Sequence, residues 1–477
     1  MGSLRGIAIC VLFLRLAPGS IAEVERPMGR YTEAPVEIQA VHPPFPVGRF
    51  VRPQFPDRTF DIRTYGARDG GQTKNTQAFR EAIEACSSAG GGTVEVPGGA
   101  WLTGPIHLKS NVNLHLNEGA ELHFSDDPQD YLPVVFTRWA GLELYNYSPL
   151  IYARDCVNIA VTGPGKLFGH GPQWWKWKEV QEKTARRVYE DQVLRDVPPE
   201  RRIYGTPAAG LRPQFISPIN CRHVLLEGFS VASPGPFWTF DIVYCDNVIV
   251  RGLQLRTTGG PNTDGINIDS SRNVLIEYCH IDAGDDAIAL KSGINEDGWR
   301  VGRPTENVVI RHITALRCHG GIVIGSETSG GIRNVFAHDC DFTGADRGIR
   351  LKSNASRGGV VEKLWFRDIR MKNVGREAIC INTDYGAFMA SQGGKAYPVF
   401  RDIVIEDVTC NGAQAAADMR GTRHEPVRNI TLTDVSISAT RGMHFEWLRG
   451  LNLRNVKVTP LQGNPMAFSH CEDVARK

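Results

Sequence analysis

The most regular feature of this chain is an alternation of apolar and other residues in short segments that recur along most of its length. One seven-residue segment occurs four times, and Ile or Leu stands at its third and fifth places: Asp264–Ser270, Asp286–Ser292, Gly320–Ser326 and Arg347–Ser353. The segments begin 22, 34 and 27 residues apart. Alternation with a period of two is typical of a strand that buries one face. A strand unit that returns at this spacing without a helical crossover predicts a solenoid.

A second alternating segment precedes the first one in each repeat and extends the pattern in both directions. Its versions are Cys221–Gly228, Asp246–Gly252, Arg272–Tyr278, Glu306–His312, Arg333–Asp339, Glu362–Asp368, Arg401–Asp407 and Arg428–Asp434, with weaker versions at Ser110–Leu116 and Cys156–Val161. Asn, Asp or Gly stands where a corner needs left-handed backbone. A β-sandwich would favour tight two-residue hairpins, and the chain offers few of them. The pattern predicts an all-β, single-stranded right-handed parallel β-helix of about ten coils.

Length and composition fit one elongated domain. The chain has 477 residues, of which 42% are hydrophobic, with 50 Gly and 28 Pro. A solenoid of this length needs no division into globular domains, because each coil contacts only its neighbours. The formal net charge is +2, and no basic run is present, so nucleic acid is not expected as a partner.

The N-terminal part of the chain divides into three segments. Residues 1–22 have the charge, the apolar run and the small-residue site of a signal peptide, which predicts a secreted or periplasmic protein. Residues 23–56 are rich in Pro and charge, and we expect an extended lead-in that is strapped onto the domain. Residues 57–470 form the predicted β-helix domain, beginning with a short capping helix at residues 75–86, for which Asn75 is a plausible N-cap. No other stretch is long and apolar enough for a membrane span.

Ten cysteines remain after the predicted cleavage. No pair has the C-x-x-C spacing of zinc or redox sites. Cys279 and Cys340 each lie seven residues before a repeat, so they are expected at equivalent buried positions. We therefore expect buried free thiols rather than a disulfide framework.

The places that vary between the four copies carry reactive side chains. Equivalent positions of successive coils stack about 4.8 Å apart. The copies therefore bring together Asp264, the pair Asp285 and Asp286, and His319. A Gly284 turn is expected to break the alternation so that the paired carboxylates reach one cleft. Two ionised carboxylates about 5 Å apart repel by about 3 kcal/mol at an effective dielectric constant near 20. Stability alone gives little reason for such a pair, whereas glycosidic cleavage requires carboxyl groups with separated pKa values.

Cations complete the predicted site. Arg350 and Lys352 alternate with core positions, so both are expected to project outward and to face solvent. A paired Arg and Lys beside carboxylates suits a ligand that carries its own carboxylate. Lys291 stacks in register with Lys352, but it is also placed to pair only with Asp269. His319 lies within reach of Asp285 and is expected to tune that acid.

These motifs, in this order and spacing, resemble the polygalacturonase family of glycoside hydrolases, family 28. The motifs are Asn262–Asp264, Gly284–Asp286, His319–Gly320 and Arg350–Lys352, and the resemblance covers about residues 57–460. Leu351 stands where the family usually has Ile. The segment Gly325–Gly331, which includes Glu327, is closest to bacterial-type exo-acting members.

The resemblance implies an inverting hydrolase of α-1,4-linked galacturonate chains with a pectin-lyase-like fold and without a metal or other cofactor. It implies that Asp285 is the general acid, that Asp264 and Asp286 activate the attacking water, and that His319 supports the acid. Arg350 and Lys352 would bind the substrate carboxylate. Further substrate-binding roles are implied for a set of four residues: Asn262, Tyr385, Lys291 and Glu327.

Three insertions favour attack at a chain end, because they can wall off a groove. They are residues 169–215, 293–305 and 384–399, and Trp299 and Arg303 of the second one are candidates to close over a terminal sugar. Three alternatives stay open. The chain could be a rhamnogalacturonan hydrolase of the same family, a pectate lyase, which would typically need calcium, or a non-catalytic carbohydrate-binding β-helix.

Overall fold

The computed structural model describes residues 33–386 and 396–477, so the predicted signal peptide and part of the third insertion lie outside the described residues. The first fifteen strands are β1 (Thr59–Asp61), β2 (Gly92–Val96), β3 (Gly99–Thr103), β4 (Ile106–His107), β5 (Val112–Leu116), β6 (Ala120–Phe124), β7 (Val135–Trp139), β8 (Leu142–Asn146), β9 (Ile151–Arg154), β10 (Val157–Thr162), β11 (Lys166–Phe168), β12 (Ile216–Ile219), β13 (Arg222–Glu227), β14 (Ser230–Ser233) and β15 (Phe240–Val243).

The remaining strands are β16 (Asp246–Arg251), β17 (Gln254–Thr257), β18 (Ile266–Asp269), β19 (Arg272–Glu277), β20 (His280–Ala283), β21 (Ile288–Lys291), β22 (Thr305–Leu316), β23 (Ile322–Ile324), β24 (Ile332–Thr343), β25 (Ile349–Lys352), β26 (Val360–Asn382), β27 (Val399–Arg420), β28 (Val427–Glu446), β29 (Leu448–Ser469) and β30 (Glu472–Arg476). The α-helices are α1 (Thr76–Ser88), α2 (Pro172–Trp175), α3 (Lys178–Arg187) and α4 (Asn295–Val301). Short 3₁₀ segments lie at Ile62–Tyr65, Pro128–Tyr131, Val193–Arg195 and Pro199–Arg201, and a π-helical turn lies at Val188–Gln192.

The strands form parallel ladders in which each strand pairs with its equivalent in the next coil. One ladder runs β2–β5–β10–β13–β16–β19–β22–β24–β26–β27–β28–β29–β30. A second ladder runs β9–β12–β15–β18–β21–β23–β25 and continues into β26. The predicted parallel β-helix is therefore confirmed, and its ladder extends beyond the ten segments that the sequence pattern marked.

Left-handed backbone stands at the predicted corners. Asn111, Asn247, Asn273, Asn307 and Asn334 all have positive φ at the start of the second repeated segment. The same conformation is also adopted by His223 and Lys363, so the corner does not demand a short polar side chain in every coil. Side-chain amides stack along this edge, where Asn334 Nδ2 donates to Asn307 Oδ1 at 3.0 Å and Asn307 Nδ2 donates to Asn273 Oδ1 at 3.1 Å. The corner residues thus connect successive coils as well as turning the chain.

The apolar positions of the repeats point into one continuous core, and α1 covers its first coil. The buried face of α1 is the predicted one: Ala78, Phe79, Ala82, Ile83 and Cys86. Asn75 lies at the N-cap position, but its side chain makes no cap hydrogen bond and instead binds the backbone of residues 68, 73 and 102. The described cysteines are all free, and all except Cys471 are buried.

Residues 33–56 lie along the outer face of the first ladder. Phe45 and Phe50 pack against Leu225, Ile249 and other apolar side chains that point away from the core. The guanidinium of Arg311 donates to the backbone carbonyls of residues 39 and 40, and Arg251 donates to that of residue 35. This segment covers apolar strand positions that would otherwise face water.

A different face of the β-helix is covered by the insertions. The antiparallel hairpin β7–β8, together with α3, packs through Trp139, Leu144, Val188 and Phe237 in a second apolar cluster outside the main core. This layer lies over the outer side of the second ladder, which carries the reactive residues. None of the helices among residues 33–386 and 396–477 is long and apolar enough to cross a membrane.

Candidate active site

The reactive side chains come from consecutive coils of the second ladder. Ile266 of β18 pairs with Ile288 of β21, so Asp264 and Asp286 occupy equivalent places just before their strands. The backbone keeps these turns together, because Gly265 N donates to the carbonyl of Asp286 at 2.9 Å and His319 N donates to that of Asp285, also at 2.9 Å. The predicted clustering follows: the carboxylates of Asp264, Asp285 and Asp286 each have an oxygen within 4.8 Å of the others.

Asp286 is held by two cations. Arg350 Nη1 donates to its Oδ1 at 3.1 Å and Lys352 Nζ donates to its Oδ2 at 2.7 Å. The expectation that Arg350 and Lys352 face solvent is therefore wrong, since they are only 7% and 8% exposed. Both side chains do leave the outer face of β25, as alternation requires, but the pocket walls cover that face. Gly320 leaves room for this cluster, because a Cβ there would lie 3.2 Å from Asp286 Oδ1.

The three carboxyl groups differ in electrostatic environment. Burial alone would raise the pKa of Asp286, but Lys352, Arg350 and Lys291 outweigh it and hold that pKa well below its ordinary value. Asp264 has no such partner: burial, and then the charge of Asp285, raises its pKa well above the ordinary value. Its Oδ1 is buried without a hydrogen-bond partner in the described protein. The two environments therefore shift the pKa values of Asp286 and Asp264 in opposite directions.

Asp285 is the most accessible of the three, and it contacts His319. His319 Nδ1 lies 3.1 Å from Asp285 Oδ1, which also accepts a hydrogen bond from Asp286 N at 3.0 Å. The hydrogen bond to Asp285 raises the pKa of His319. The sequence placed His319 within reach of Asp285, and the structure brings the two side chains into contact.

Lys291 pairs with Glu327 rather than with Asp269. Lys291 Nζ lies 3.0 Å from Glu327 Oε2 and 4.4 Å from the centre of the Trp238 ring, whereas Asp269 is bound by Arg138 at 3.0 Å. Burial opposes the charge of Lys291, but Glu327, Asp264 and Asp286 raise its pKa above the ordinary value. The two predicted substrate binders thus form a buried ion pair at the wall of the site.

The remaining predicted residues lie at the edge of the same pocket. Asn262 has left-handed backbone and its Oδ1 accepts from Arg212 Nη2 at 2.9 Å. Tyr385 presents its ring 5.4 Å from the guanidinium of Arg350 and 5.5 Å from Lys352 Nζ. All ten residues predicted from the sequence line one pocket of about 350 Å³.

Sequence reasoning missed part of the pocket wall. Trp139, Gln181, Phe237 and Trp238 also line it. Trp238 could have been found, because Phe240 pairs with Ile266 and this register gives Trp238 the place of Asp264 one coil earlier. Trp139 and Gln181 come from insertions that have no repeat, so nothing in the periodicity indicated them.

Trp299 and Arg303 do not line this pocket, so the expectation that they close over a terminal sugar there is wrong. The indole of Trp299 donates to the carbonyl of Arg357 at 2.8 Å, and the Arg303 guanidinium lies 5.2 Å from the centre of the Tyr244 ring. Both residues are used to pack α4 and its loop against the neighbouring coils.

The triad of aspartates is also the only group among the described residues with the spacing of a metal site. Arg350 and Lys352 already neutralise the charge of Asp286, and the raised pKa of Asp264 disfavours its ionised form. A divalent cation prefers ionised oxygen ligands. The donor set therefore suits proton transfer better than cation binding.

Known proteins share this combination of fold and motifs. The family described as glycosyl hydrolases family 28 matches residues 86–449. The chain belongs to this family. A probable polygalacturonase of Vitis vinifera is 31% identical over 396 residues, which cover 80% of this chain and 75% of the relative.

Two solved structures of the family are similar over most of the chain. The exopolygalacturonase of Thermotoga maritima has a TM-score of 0.78 and 38% identity, covering 84% of this chain and 93% of that one. The family 28 exopolygalacturonase of Yersinia enterocolitica has a TM-score of 0.74 and 25% identity, covering 88% and 78% of the two chains. The chain is therefore a glycoside hydrolase of a known structural type.

The clamp on Asp286 gives a prediction for stability. Lys352→Met should lower the free energy of unfolding at neutral pH by about 3 kcal/mol, because it removes one partner of a buried ion pair. A carboxyl group with a lowered folded-state pKa stabilises the protein above its unfolded pKa, and this contribution is lost as the pH falls through the folded-state value. The deficit of the variant should therefore shrink between about pH 5 and pH 2. Unfolding midpoints recorded across this range measure it.

Lys372→Met is the matched control, because Lys372 is exposed on β26. It should leave the midpoint unchanged at every pH. Equal midpoints for Lys352→Met and the wild-type protein at neutral pH would show that the clamp contributes nothing to stability.

Proposed function

We propose that this protein is a polygalacturonase that hydrolyses α-1,4-galacturonosyl linkages of pectin and releases its product from a chain end. The observation that carries the proposal is a single small pocket in which the pKa values of Asp264 and Asp286 are shifted in opposite directions, beside the more accessible Asp285 and three cationic side chains. Separated carboxyl pKa values supply an acid and a base for glycosidic cleavage. Cations in the same pocket suit a sugar that carries a carboxylate.

The cations Arg350, Lys352 and Lys291 would bind the galacturonate carboxylate. Arg350 and Lys352 hold Asp286 with no other acidic partner of their own in hydrogen-bond contact among the described residues. A second carboxylate at this point would share their donors, since a guanidinium has five N–H groups and an ammonium has three. The ring of Tyr385 beside both cations offers an apolar surface for a face of the sugar.

Asp285 is proposed to protonate the glycosidic oxygen. It has the most accessible carboxyl group of the three, with a side chain that is 19% exposed, and its Oδ1 is fixed by His319 and by the backbone N–H of Asp286. These hydrogen bonds orient the carboxyl group towards a ligand in the pocket. His319 would act as a positioning residue for the acid.

Asp286 is proposed to accept the proton of the attacking water, because its environment keeps it ionised. The raised pKa of Asp264 favours its neutral form, and its unpartnered Oδ1 is available to bind the same water. In the activation of water, Asp286 would therefore be the base, and Asp264 would be the neutral group that orients the nucleophile. After the sugar leaves, the proton that Asp286 has taken up would pass through solvent to Asp285, which restores both the acid and the base.

The family resemblance implies inversion at the anomeric carbon, and we include inversion in the proposal. The carboxylate oxygens lie within 4.8 Å of one another, which is closer than the separation of about 6.5–9.5 Å that is usual in inverting glycosidases. The anomeric configuration of the first product released is the direct test of inversion.

Attack at a chain end is supported by the walls of the pocket. Trp139 and Ala140 from the hairpin β7–β8 and Gln181 from α3 stand at its side, and Tyr385 begins the third insertion. The volume of about 350 Å³ lies at the lower end of the range for small-ligand sites, which suits a terminal segment better than a long chain. The two similar solved structures are named as exopolygalacturonases.

A rhamnogalacturonan hydrolase of the same family is less favoured, because the similar relative and the two similar solved structures are named as polygalacturonases or exopolygalacturonases. A pectic polysaccharide or oligogalacturonide is the partner proposed here. The predicted signal peptide supports a secreted or periplasmic location, where such polymers are met.

Replacement of the proposed general acid should lower kcat strongly without affecting the stability of the fold. Asp285→Asn should lower kcat by about 10²–10⁴-fold on oligogalacturonides, the usual contribution of a general acid, with the unfolding midpoint retained. An aryl galacturonide whose leaving group needs no protonation should restore most of this loss. The measurement is kcat on both substrates for Asp285→Asn, for Asp264→Asn and for the control Asp282→Asn, which lies three residues earlier on β20 and outside the pocket.

The comparison separates the two candidate acids. If the aryl substrate rescues Asp264→Asn and not Asp285→Asn, the proton that Asp264 holds at rest is the catalytic one and the assignment to Asp285 is wrong. Asp282→Asn should behave as the wild-type protein on both substrates.

Product analysis on polygalacturonate tests the mode of cleavage. The protein should release monomer or dimer while the viscosity of the solution barely falls, and the first anomer seen by NMR should have the inverted configuration. A rapid fall in viscosity after a few per cent of bonds are cleaved would indicate an open groove, and a retained anomer would exclude the inverting mechanism. Faster hydrolysis of rhamnogalacturonan than of polygalacturonate would favour the rival substrate.

A further inference from the structure

Next to the catalytic pocket, the layer beneath the hairpin β7–β8 contains polar side chains that the sugar site does not use. Ser217, Asp241 and Asn267 lie on the outer faces of β12, β15 and β18, at successive places of one row. Each is at most 1% exposed, because the hairpin and its neighbours cover this face. Outward positions of a sheet that is covered in this way are normally apolar. This polar row therefore needs an explanation.

Many atoms of this region have no hydrogen-bond partner within the described protein. They are Gln214 Oε1, Ser217 Oγ, Thr239 Oγ1, Asp241 Oδ1, Asn267 Oδ1 and Nδ2, Asp269 Oδ2, and Arg138 Nε and Nη2. The few contacts that are made join the same residues: Gln214 Nε2 donates to Asp241 Oδ2 at 3.0 Å, and Arg138 Nη1 donates to Asp269 Oδ1 at 3.0 Å. Gln214 Nε2 also donates to the carbonyl of Arg138 at 3.4 Å, and Asp241 pairs in register with Asn267, so these side chains are neighbours. We call this group the polar chamber.

The polar chamber adjoins the carboxyl group that is proposed to orient the attacking water. Asn267 follows Asp264 by three residues on the same coil, and Thr239 N donates to the carbonyl of Asp264 at 3.0 Å. Asp264 Oδ1 is itself buried and unpartnered. Beyond Asn267 the row continues with Ala289, and Asp269 of the chamber pairs in register with Lys291, which lines the pocket. The chamber and the pocket are therefore separated by one coil at most.

Water is the occupant that these atoms suit. Buried polar groups in folded proteins are almost always hydrogen-bonded, and buried waters supply the partners that the protein does not. The cluster mixes acceptors with the donors of Asn267 and Arg138, and water both donates and accepts. A metal ion fits less well, because the Arg138 guanidinium already lies against Asp269 and because burial, followed by the charge of Asp269, raises the pKa of Asp241 well above its ordinary value.

We propose that the polar chamber holds a chain of ordered water that leads to Asp264 and supplies the hydrolytic water when a sugar fills the pocket. The inference rests on the proposed function, since it concerns the nucleophile of that reaction. A pocket entered by a chain end is plugged by its own substrate, so the next water has no direct path from outside. Water stored behind the carboxyl groups removes this restriction, and Asn267 is the positioning residue at the head of the chain.

The proposal can be tested by the kinetics of variants in which a polar side chain of the chamber is replaced by an apolar one. Asn267→Leu replaces two polar atoms by an apolar side chain of similar size and should lower kcat about tenfold, the loss expected for one well-placed hydrogen bond. KM should stay within about twofold, because the sugar contacts are unchanged. Thr239→Val should lower kcat in the same direction and by less, and it provides a milder variant if Asn267→Leu does not fold.

Thr314→Val is the matched control. Thr314 is also a buried threonine whose hydroxyl has no partner in the described protein, but it lies on β22, outside the polar chamber. It should leave both kcat and KM unchanged. A merely structural role for the chamber would predict that Asn267→Leu and Thr239→Val change the unfolding midpoint without a selective loss of kcat.

Diffraction to about 1.2 Å from wild-type crystals, with and without galacturonate, reads the chamber directly. The proposal expects ordered waters between Asp241, Asn267 and Asp264 in both crystals, and fewer of them in Asn267→Leu. A dry chamber, a metal ion in it, or an unchanged kcat in a variant that has lost the waters would overturn it. Because occupancy is read without any assay, a wild-type protein that fails to hydrolyse polygalacturonate would contradict the proposed function and not this observation.

Discussion

The repulsion among three neighbouring carboxyl groups is the constraint on which the site depends. Their oxygens lie within 4.8 Å, and two ionised groups at such a distance in a protein repel by about 3 kcal/mol. The two groups have different surroundings: Arg350 and Lys352 bind Asp286 and lower its pKa, whereas burial raises the pKa of Asp264, which no cation binds in the described protein. The difference between these two environments is what provides the proposed base and its neutral partner.

The β-helix creates this difference through its register. Stacked coils place equivalent positions next to one another. The residue type at one place of the repeat therefore sets the environment of the equivalent residue in the next coil. The row that begins with Trp238 continues as Asp264, Asp286 and Gly320, and the absence of a side chain at Gly320 leaves room for Arg350 to reach Asp286 from one coil further. The insertions then cover the row, remove it from water and strengthen each electrostatic contact.

Most of the fold and the members of the site could be predicted from the sequence, because both follow from the repeat. Period-two alternation predicted the strands. The stacking of equivalent positions in successive coils predicted that Asp264, Asp285, Asp286 and His319 lie together. The exposure of Arg350 and Lys352 was mispredicted, because alternation tells which side of a strand a residue leaves and not what covers that side. The partner of Lys291 and the walls of the pocket depend on long-range contacts of insertions without a repeat, which periodicity does not describe.

The division of protons between the aspartates can be measured directly. Infrared difference titration of protein labelled with ¹³C-aspartate, compared with Asp264→Asn and Asp286→Asn, assigns the band of each carboxyl group. The account predicts that Asp264 titrates above the ordinary range near pH 4 and that Asp286 remains ionised well below it. Ordinary titration of both groups, or a protonated Asp286 beside an ionised Asp264, would contradict the account.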